Sequence, residues 1–335
     1  MNNRTNTIKQ QSRMLLLAAV MFLGTGAAWG QAEKLVGSWV RVSKAQVAYA
    51  NFELLSDGTG KSDGSPITWK FEKEADYIVF TKTVKGKETS VDYSPDILDN
   101  GDIYLRPFNR KEGSISMKEA YYQRKEKVDE IAQIKKDAKA SAGSFTDSRD
   151  KKKYKSVKIA GKTWMAENLN FKADGSMCYG KKDANCTKYG RLYTYPVAKT
   201  ACPEGWRLPK KEEAESLFKT SEKVANWDAE DKSAAIKSKT GWPSKLNGTN
   251  DLLFSALPGG SYEGDDFNGI LGKTDGSSYW WLDLEKGEEA HAMYISSQVW
   301  VRGAPGFFSV DPETELGADK SLPKVSGLSV RCVQN

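Results

Sequence analysis

Four cysteines constrain this chain more than any other feature, because all of them fall in its C-terminal half: Cys178, Cys186, Cys202 and Cys332. An even number in a chain that reads as exported forms disulfides, and four cysteines allow three pairings. The expected pairing is Cys178–Cys186 with Cys202–Cys332. The first closes a short loop, and the second ties the middle of this half to the chain end. On the chain-entropy account such a long closure constrains the unfolded chain by about 4–5 kcal/mol. Zinc is disfavoured, since there is no Cys-x-x-Cys pair and the chain has a single histidine. Cys202 also opens the densest stretch of the sequence, Cys202-Pro-Glu-Gly-Trp-Arg-Leu-Pro209. It reads as a structural hub: a disulfide anchor, a Trp206 for the core, and Pro209 fixing the backbone for a helix start.

Residues 1–30 read as a secretory signal. Arg4, Lys9 and Arg13 precede an apolar run of ten residues, 14–23, and small residues follow, with Ala28 and Gly30 as cleavage positions. A bilayer span needs about 20 apolar residues, so the run is too short to be an anchor. No membrane span is expected after cleavage. Removing the segment takes three cations and no acids from the formal +6 and leaves +3. A charge that small gives no argument for nucleic acid or a membrane surface as partner. The expected location is secreted: extracellular, outer cell surface or periplasm.

Residues 33–124 alternate apolar and polar positions between turn signals such as Asp57-Gly58, Lys85-Gly86 and Asn100-Gly101. Strands are expected at 35–42, 52–59, 67–71, 77–81, 103–107 and 119–124. Many short strands at regular spacing predict an antiparallel meander that closes on itself to protect its edges. Gly37-Ser38-Trp39, the Asp57-Gly58-Thr59-Gly60 turn, Ile67-Thr68-Trp69 and Tyr121-Tyr122 resemble the small bacterial lipocalin-like domains. That resemblance implies a small all-β barrel with Trp39 plugging one end. Trp39 and Trp69 are read as core aromatics rather than as the lining of a ligand cup.

Residues 125–144 change character. Good helix formers fill 125–140, with Val128, Ile131 and Ile134 as a narrow apolar stripe, and Ser141-Ala-Gly-Ser144 breaks the pattern. A helical linker and a short flexible joint are expected. The last domain runs over 145–335. Its lysine-rich opening reads as a solvated turn, not an acid-binding patch. A helix is expected from Lys211, with acids in its first turn, and another from about Ala229 to Lys239. Late strands are expected at 292–296 and 328–333. Five ordered motifs stand in this half: Thr163-Trp-Met-Ala-Glu-Asn-Leu-Asn170, Cys178-Tyr179, Tyr189-Gly-Arg-Leu-Tyr193, the 202–209 stretch and Ser329-Val-Arg-Cys-Val333. Together they resemble the Fibrobacter succinogenes major paralogous domain over residues 147–335. The resemblance implies an exported protein with an α+β fold similar to C-type lectins and the formylglycine-generating enzymes, and no established activity.

No catalytic set emerges. His291 has no nucleophile paired with it in the pattern, and reads as structural or exposed. Copper-dependent oxidation of the formylglycine kind would need Cys202 and Cys332 free together, against the redox compartment. No cofactor and no metal site is expected. Asp265, Asp266, Asn268 and Asp275 crowd one loop, but the spacing is not that of an EF-hand and the Glu-Pro-Asn type signature of calcium-dependent lectins is missing. What remains is a glycine-rich aromatic loop over 257–282. Its candidate binding residues are Tyr262, Asp265, Asp266, Asn268, Tyr279, Trp280 and Trp281. In a strand the adjacent Trp280 and Trp281 face opposite sides, so one is expected in the core and one partly exposed. The functional expectation is a non-enzymatic binding or adhesion protein, with polysaccharide or a cell-surface protein as partner. The alternatives are an enzyme of the formylglycine group and a structural component of the envelope.

Overall fold

A computed structural model describes residues 29–44, 49–225, 231–243, 246–264, 266–269, 275–302 and 309–335. The segment read as a signal lies outside the described residues, apart from Trp29 and Gly30. The chain divides into two compact units, Met1–Asp129 and Glu130–Asn335.

The first unit opens with a short helix, α1 (Trp29–Leu35), and continues as strands β1 (Gly37–Arg41), β2 (Asn51–Leu54), β3 (Thr59–Ser62), β4 (Ser65–Glu72), β5 (Tyr77–Val84), β6 (Lys87–Ile97), β7 (Ile103–Asn109), β8 (Ser114–Ile115) and β9 (Ala120–Arg124). Neighbours pair antiparallel from β1 to β7, β7 pairs with β9, and β9 returns to β1. Eight strands thus close a barrel, with β8 as a hairpin arm on β7. Closure leaves no long unpaired edge, which is what the alternating pattern required. Inward positions carry rings that fill the interior. Phe52 lies 5.3 Å from Phe80 and 5.0 Å from Tyr122, and Phe80 lies 5.7 Å from Tyr93. Trp39 is buried, donates its indole N–H to the Leu35 carbonyl at 2.8 Å, and lies under the Arg124 guanidinium at 3.9 Å. Trp69 is buried as well and donates to the Leu55 carbonyl.

Helix α2 (Lys125–Ala140) spans the boundary between the units. It is less of a free linker than its composition suggests. Ile131, Ile134 and Ala138 pack on the core of the second unit. The expected flexible joint is also ordered: Gly143–Thr146 forms β10, which pairs with β11 (Lys153–Ile159). The second unit continues with β12 (Lys162–Met165), β13 (Ser176–Met177), α3 (Asp183–Tyr189), β14 (Leu192–Tyr193), α4 (Tyr195–Ala201), β15 (Trp206–Arg207), α5 (Lys211–Val224), β16 (Ser261–Glu263), β17 (Asp266–Asn268), β18 (Asp275–Lys286), β19 (Glu289–Arg302), β20 (Ser309–Pro323) and β21 (Val333–Gln334). It is an α+β unit of many strands and few helices. A five-stranded sheet runs β10-β11-β12-β21-β15, and β18-β19-β20 form a long antiparallel sheet. Between them thread residues 327–329, which bridge to Tyr262, Tyr193 and Trp280 in turn.

Both expected disulfides are present, Cys178–Cys186 and Cys202–Cys332. Cys332 sits beside β21 and Cys202 just before β15, so the long bridge fastens the 202–209 stretch to the chain end, where β15 and β21 pair. Trp206 stacks on Phe145 at 4.2 Å, and α5 starts two residues after Pro209. Glu213 accepts the Lys210 backbone N–H at that helix start and binds Arg207 at 2.7 Å.

The expected helix from Ala229 to Lys239 does not form. Its described part, from Asp231 on, is a run of turns. Residues 233–238 are all buried, so no solvated face remains for an amphipathic helix. Asp231 instead accepts from the Ser233 backbone and hydroxyl, and the fully buried Lys237 turns inward to Asp231 at 2.8 Å. Burial pushes the Lys237 ammonium below its ordinary range.

Candidate functional site

The 257–282 loop does not present the aromatic surface expected of it. Trp280 and Trp281 point to opposite faces of β18 as the strand geometry demands, yet both faces are interior. Trp280 joins one core cluster and Trp281 the other, and each is fully buried. Each indole N–H has a partner at 2.8 Å, Asn168 Oδ1 for Trp280 and the Tyr193 carbonyl for Trp281. The strand is a wall between two cores, so neither indole serves as a ligand platform.

The remaining candidates scatter. Tyr262 is buried against Gly327, where a Cβ would fall 1.6 Å from its ring. It pairs across the β16–β17 hairpin with Phe267. Asp266 and Asn268 occupy the opposite, exposed face of that hairpin. Tyr279 is half-buried, stacks on Tyr294 and lies under the Lys320 ammonium at 5.0 Å. Asp265 lies outside the described residues. No group of three or more His, Cys, Asp and Glu side chains is placed to hold a metal among the described residues. His291 meets Asp319 at 2.8 Å, and Asp319 in turn meets Lys211.

The structure gathers a different set. Asn168, from the first motif, lies buried with its amide saturated. Its Oδ1 accepts from Trp280 Nε1 at 2.8 Å and from Arg331 Nε and Nη2 at 3.0 and 2.8 Å. Its Nδ2 donates to the Tyr189 carbonyl and to Ser329 Oγ. Gly190 makes this approach fit: its φ is +81°, and a Cβ there would meet Asn168 Cβ at 2.7 Å. Arg331, from the last motif, is fully buried. Its other contacts are the Phe254 and Ser255 carbonyls and the Phe254 ring at 4.2 Å. Among the described residues no carboxylate stands within ion-pair distance of it. Desolvation pushes its pKa down to about 9, against a smaller upward pull from the Glu167 carboxylate. Three of the five motifs therefore meet at one buried point through Asn168, Tyr189 and Arg331, and Cys332 beside it ties in a fourth, the 202–209 stretch, through its bridge to Cys202.

A cleft of about 400 Å³ opens over this point, lined by Lys152, Lys153, Lys155, Asn170, Thr187 and Lys188 at the rim and by Asn168, Tyr189 and Arg331 deeper in. β11 supplies Lys153 and Lys155 on its outward face, while α3 supplies Thr187 and Lys188. The Cys178–Cys186 bridge fixes α3 at Cys186, itself part of the lining. Lys152 bonds the Asn170 carbonyl and lies 3.5 Å from Asp150, and Lys155 lies 3.7 Å from Glu167. Lys188 sits 4.6 Å from the centre of the Tyr189 ring. A larger cleft of about 550 Å³ lies among α2, α5 and the turn between β11 and β12, where Lys223 is paired with Glu130.

The frame and the cleft define a disulfide-stapled α+β module whose motifs converge on one asparagine–arginine pair. The chain belongs to the Fibrobacter succinogenes major domain family, which matches residues 157–334. No curated protein and no solved structure matches it. No helix among the described residues is long and apolar enough to cross a membrane.

Proposed function

We propose that this is an exported, non-enzymatic binding protein whose C-terminal domain has a C-type-lectin-like fold and holds polysaccharide at the cell surface or in the extracellular medium. The observation that carries the reading is the 400 Å³ cleft, within the range of about 300–1,000 Å³ usual for ligand sites. Its lining combines what a sugar needs: amide and hydroxyl groups from Asn170, Thr187, Ser238 and Ser255, cationic side chains, and walls held by a disulfide. Rigid walls reduce the ordering cost of binding. Two disulfides in one domain fit an oxidising compartment outside the cytoplasm. Oxidative chemistry of the formylglycine kind needs two free thiols, and Cys202 and Cys332 are bonded to each other. Pull-down on insoluble polysaccharides together with a glycan array tests the proposal. Retention by at least one glycan is expected; retention by none removes the carbohydrate reading.

A further inference from the structure

Resting on that reading, we infer that the ligand of the cleft is an acidic polysaccharide, recognised through the carboxylate or sulfate groups along its chain. The cleft is lined by five cationic side chains, Lys152, Lys153, Lys155, Lys188 and Arg331, against one carboxylate, Glu167. Two of these charges are already spoken for at the rim: Lys152 by Asp150 and Lys155 by Glu167. Lys153 and Lys188 are exposed and belong to no ion pair among the described residues. Beneath them lies Arg331, whose positive charge is held by carbonyls, an amide oxygen and a ring face, all neutral.

Arg331 feels the charge of Glu167 but has no carboxylate in direct contact among the described residues. A buried charge left without a contacting counter-ion is expensive, and attraction to an opposite charge grows as the surrounding dielectric falls. The field of Arg331 reaches the cleft through protein rather than through water. Its sign agrees with that of the rim lysines, so the opening is a focused positive patch. An anion seated there gains charge attraction from these groups, whereas a neutral sugar gains only hydrogen bonds from the ammonium donors. The spread of the lysines also matters. Lys153 and Lys155 lie two residues apart on one strand face, while Lys188 lies on α3 across the opening. A single small anion meets one such group at a time, whereas a chain bearing acids at intervals meets several. The net charge of the rest of the molecule is small, so this patch is a local property.

The test uses matched pairs of polymers with the same backbone: dextran against dextran sulfate, and hydroxyethyl cellulose against carboxymethyl cellulose. Binding is measured on the full chain by affinity electrophoresis over a series of salt concentrations. Two triple variants are compared, Lys153→Gln/Lys155→Gln/Lys188→Gln in the cleft and Lys61→Gln/Lys87→Gln/Lys118→Gln on the barrel, all at exposed positions. The expected result is retention by the acidic member of at least one pair, weakening with salt. The cleft variant loses about tenfold or more in affinity at an unchanged thermal midpoint, and the barrel variant binds like the parent. Equal, salt-insensitive binding to both members of a pair overturns the acidic ligand and leaves the polysaccharide reading standing. Equal losses in the two variants overturn the inference by showing that net charge alone drives retention. Retention unaffected by the cleft variant overturns it by placing the site elsewhere. Binding to neither member of either pair overturns the inference, and the glycan array then decides the broader reading.

Discussion

Asn168→Ala is the substitution with the largest consequence that the geometry predicts at a polar position. One oxygen, Asn168 Oδ1, is the acceptor for three buried N–H groups, one from Trp280 and two from Arg331. Truncation leaves all three without it. An unsatisfied buried donor costs about 1–3 kcal/mol, more when charged. Arg331 keeps its bonds to the Phe254 and Ser255 carbonyls, and a water entering the vacated space recovers part of the rest. The expected loss is therefore about 3–5 kcal/mol, a large fraction of the 5–15 kcal/mol that stabilises an ordinary domain. Urea unfolding followed by tryptophan fluorescence measures it. The control is Asn170→Ala two residues on, where the partners of the residue are its backbone groups; a change within about 0.5 kcal/mol is expected there. A loss below about 1 kcal/mol for Asn168→Ala would refute the account of the hub.

The disulfides should resist alkylation by iodoacetamide in folded protein until reductant is added, and non-reduced peptide mapping should return Cys178–Cys186 and Cys202–Cys332. Opening Cys202–Cys332, with a sequence separation of 130, should cost about 5 kcal/mol, twice the about 2.5 kcal/mol for the separation of 8 at Cys178–Cys186; paired Cys→Ala variants compared by urea midpoint check the ratio. Glu213 is held down to about 2 from 4.5, chiefly by the Arg207 guanidinium, so its contribution is complete above pH 4.5 and is lost as pH falls toward 2. Glu213→Gln should flatten that acid limb while lowering stability at neutral pH, and thermal midpoints from pH 7 to pH 2 show whether it does. Trp281→Ala should cost about 3–5 kcal/mol through core loss alone; a soluble variant of parental stability would contradict the burial of that indole.

The barrel was legible because its signal is local. Period-two alternation and dipeptides such as Asn100-Gly101 act over a few residues, and six of the eight barrel strands fall at the expected segments, while β3 and β6 were not among them. The disulfides were legible because four cysteines leave few choices. The 229–239 segment misled for the opposite reason. Its helix formers are locally persuasive, but burial of 233–238 and the inward turn of Lys237 are decided by distant partners such as Ser297. Trp280 and Trp281 misled by half: alternation gave their opposite directions, while the second covering layer comes from Tyr193, Tyr195 and residues 328–332. The cleft was the least legible feature. Lys152, Lys153 and Lys155 read as solvent-facing in isolation, and only the topology brings them to Lys188 and Arg331. The signal that could have found it was Asn168 and Arg331, polar side chains next to the apolar residues Ala166, Leu169, Val330 and Cys332 of their motifs.

The adjacent tryptophans of β18 also bear on how this domain can change over generations. Each indole fits a separate mould, one on either side of the strand, and each mould supplies its own acceptor. Sliding β18 by one residue would exchange the two faces and send both rings into the wrong mould. The pair works as a key cut on both edges. Replacing a residue beside it alters fit by degrees, but losing or gaining one residue between Asp275 and Trp280 inverts the whole blade. Descendants of this sequence should therefore keep the two indoles, tolerate substitution at the exposed positions beside them, and vary scarcely at all in the length of β18.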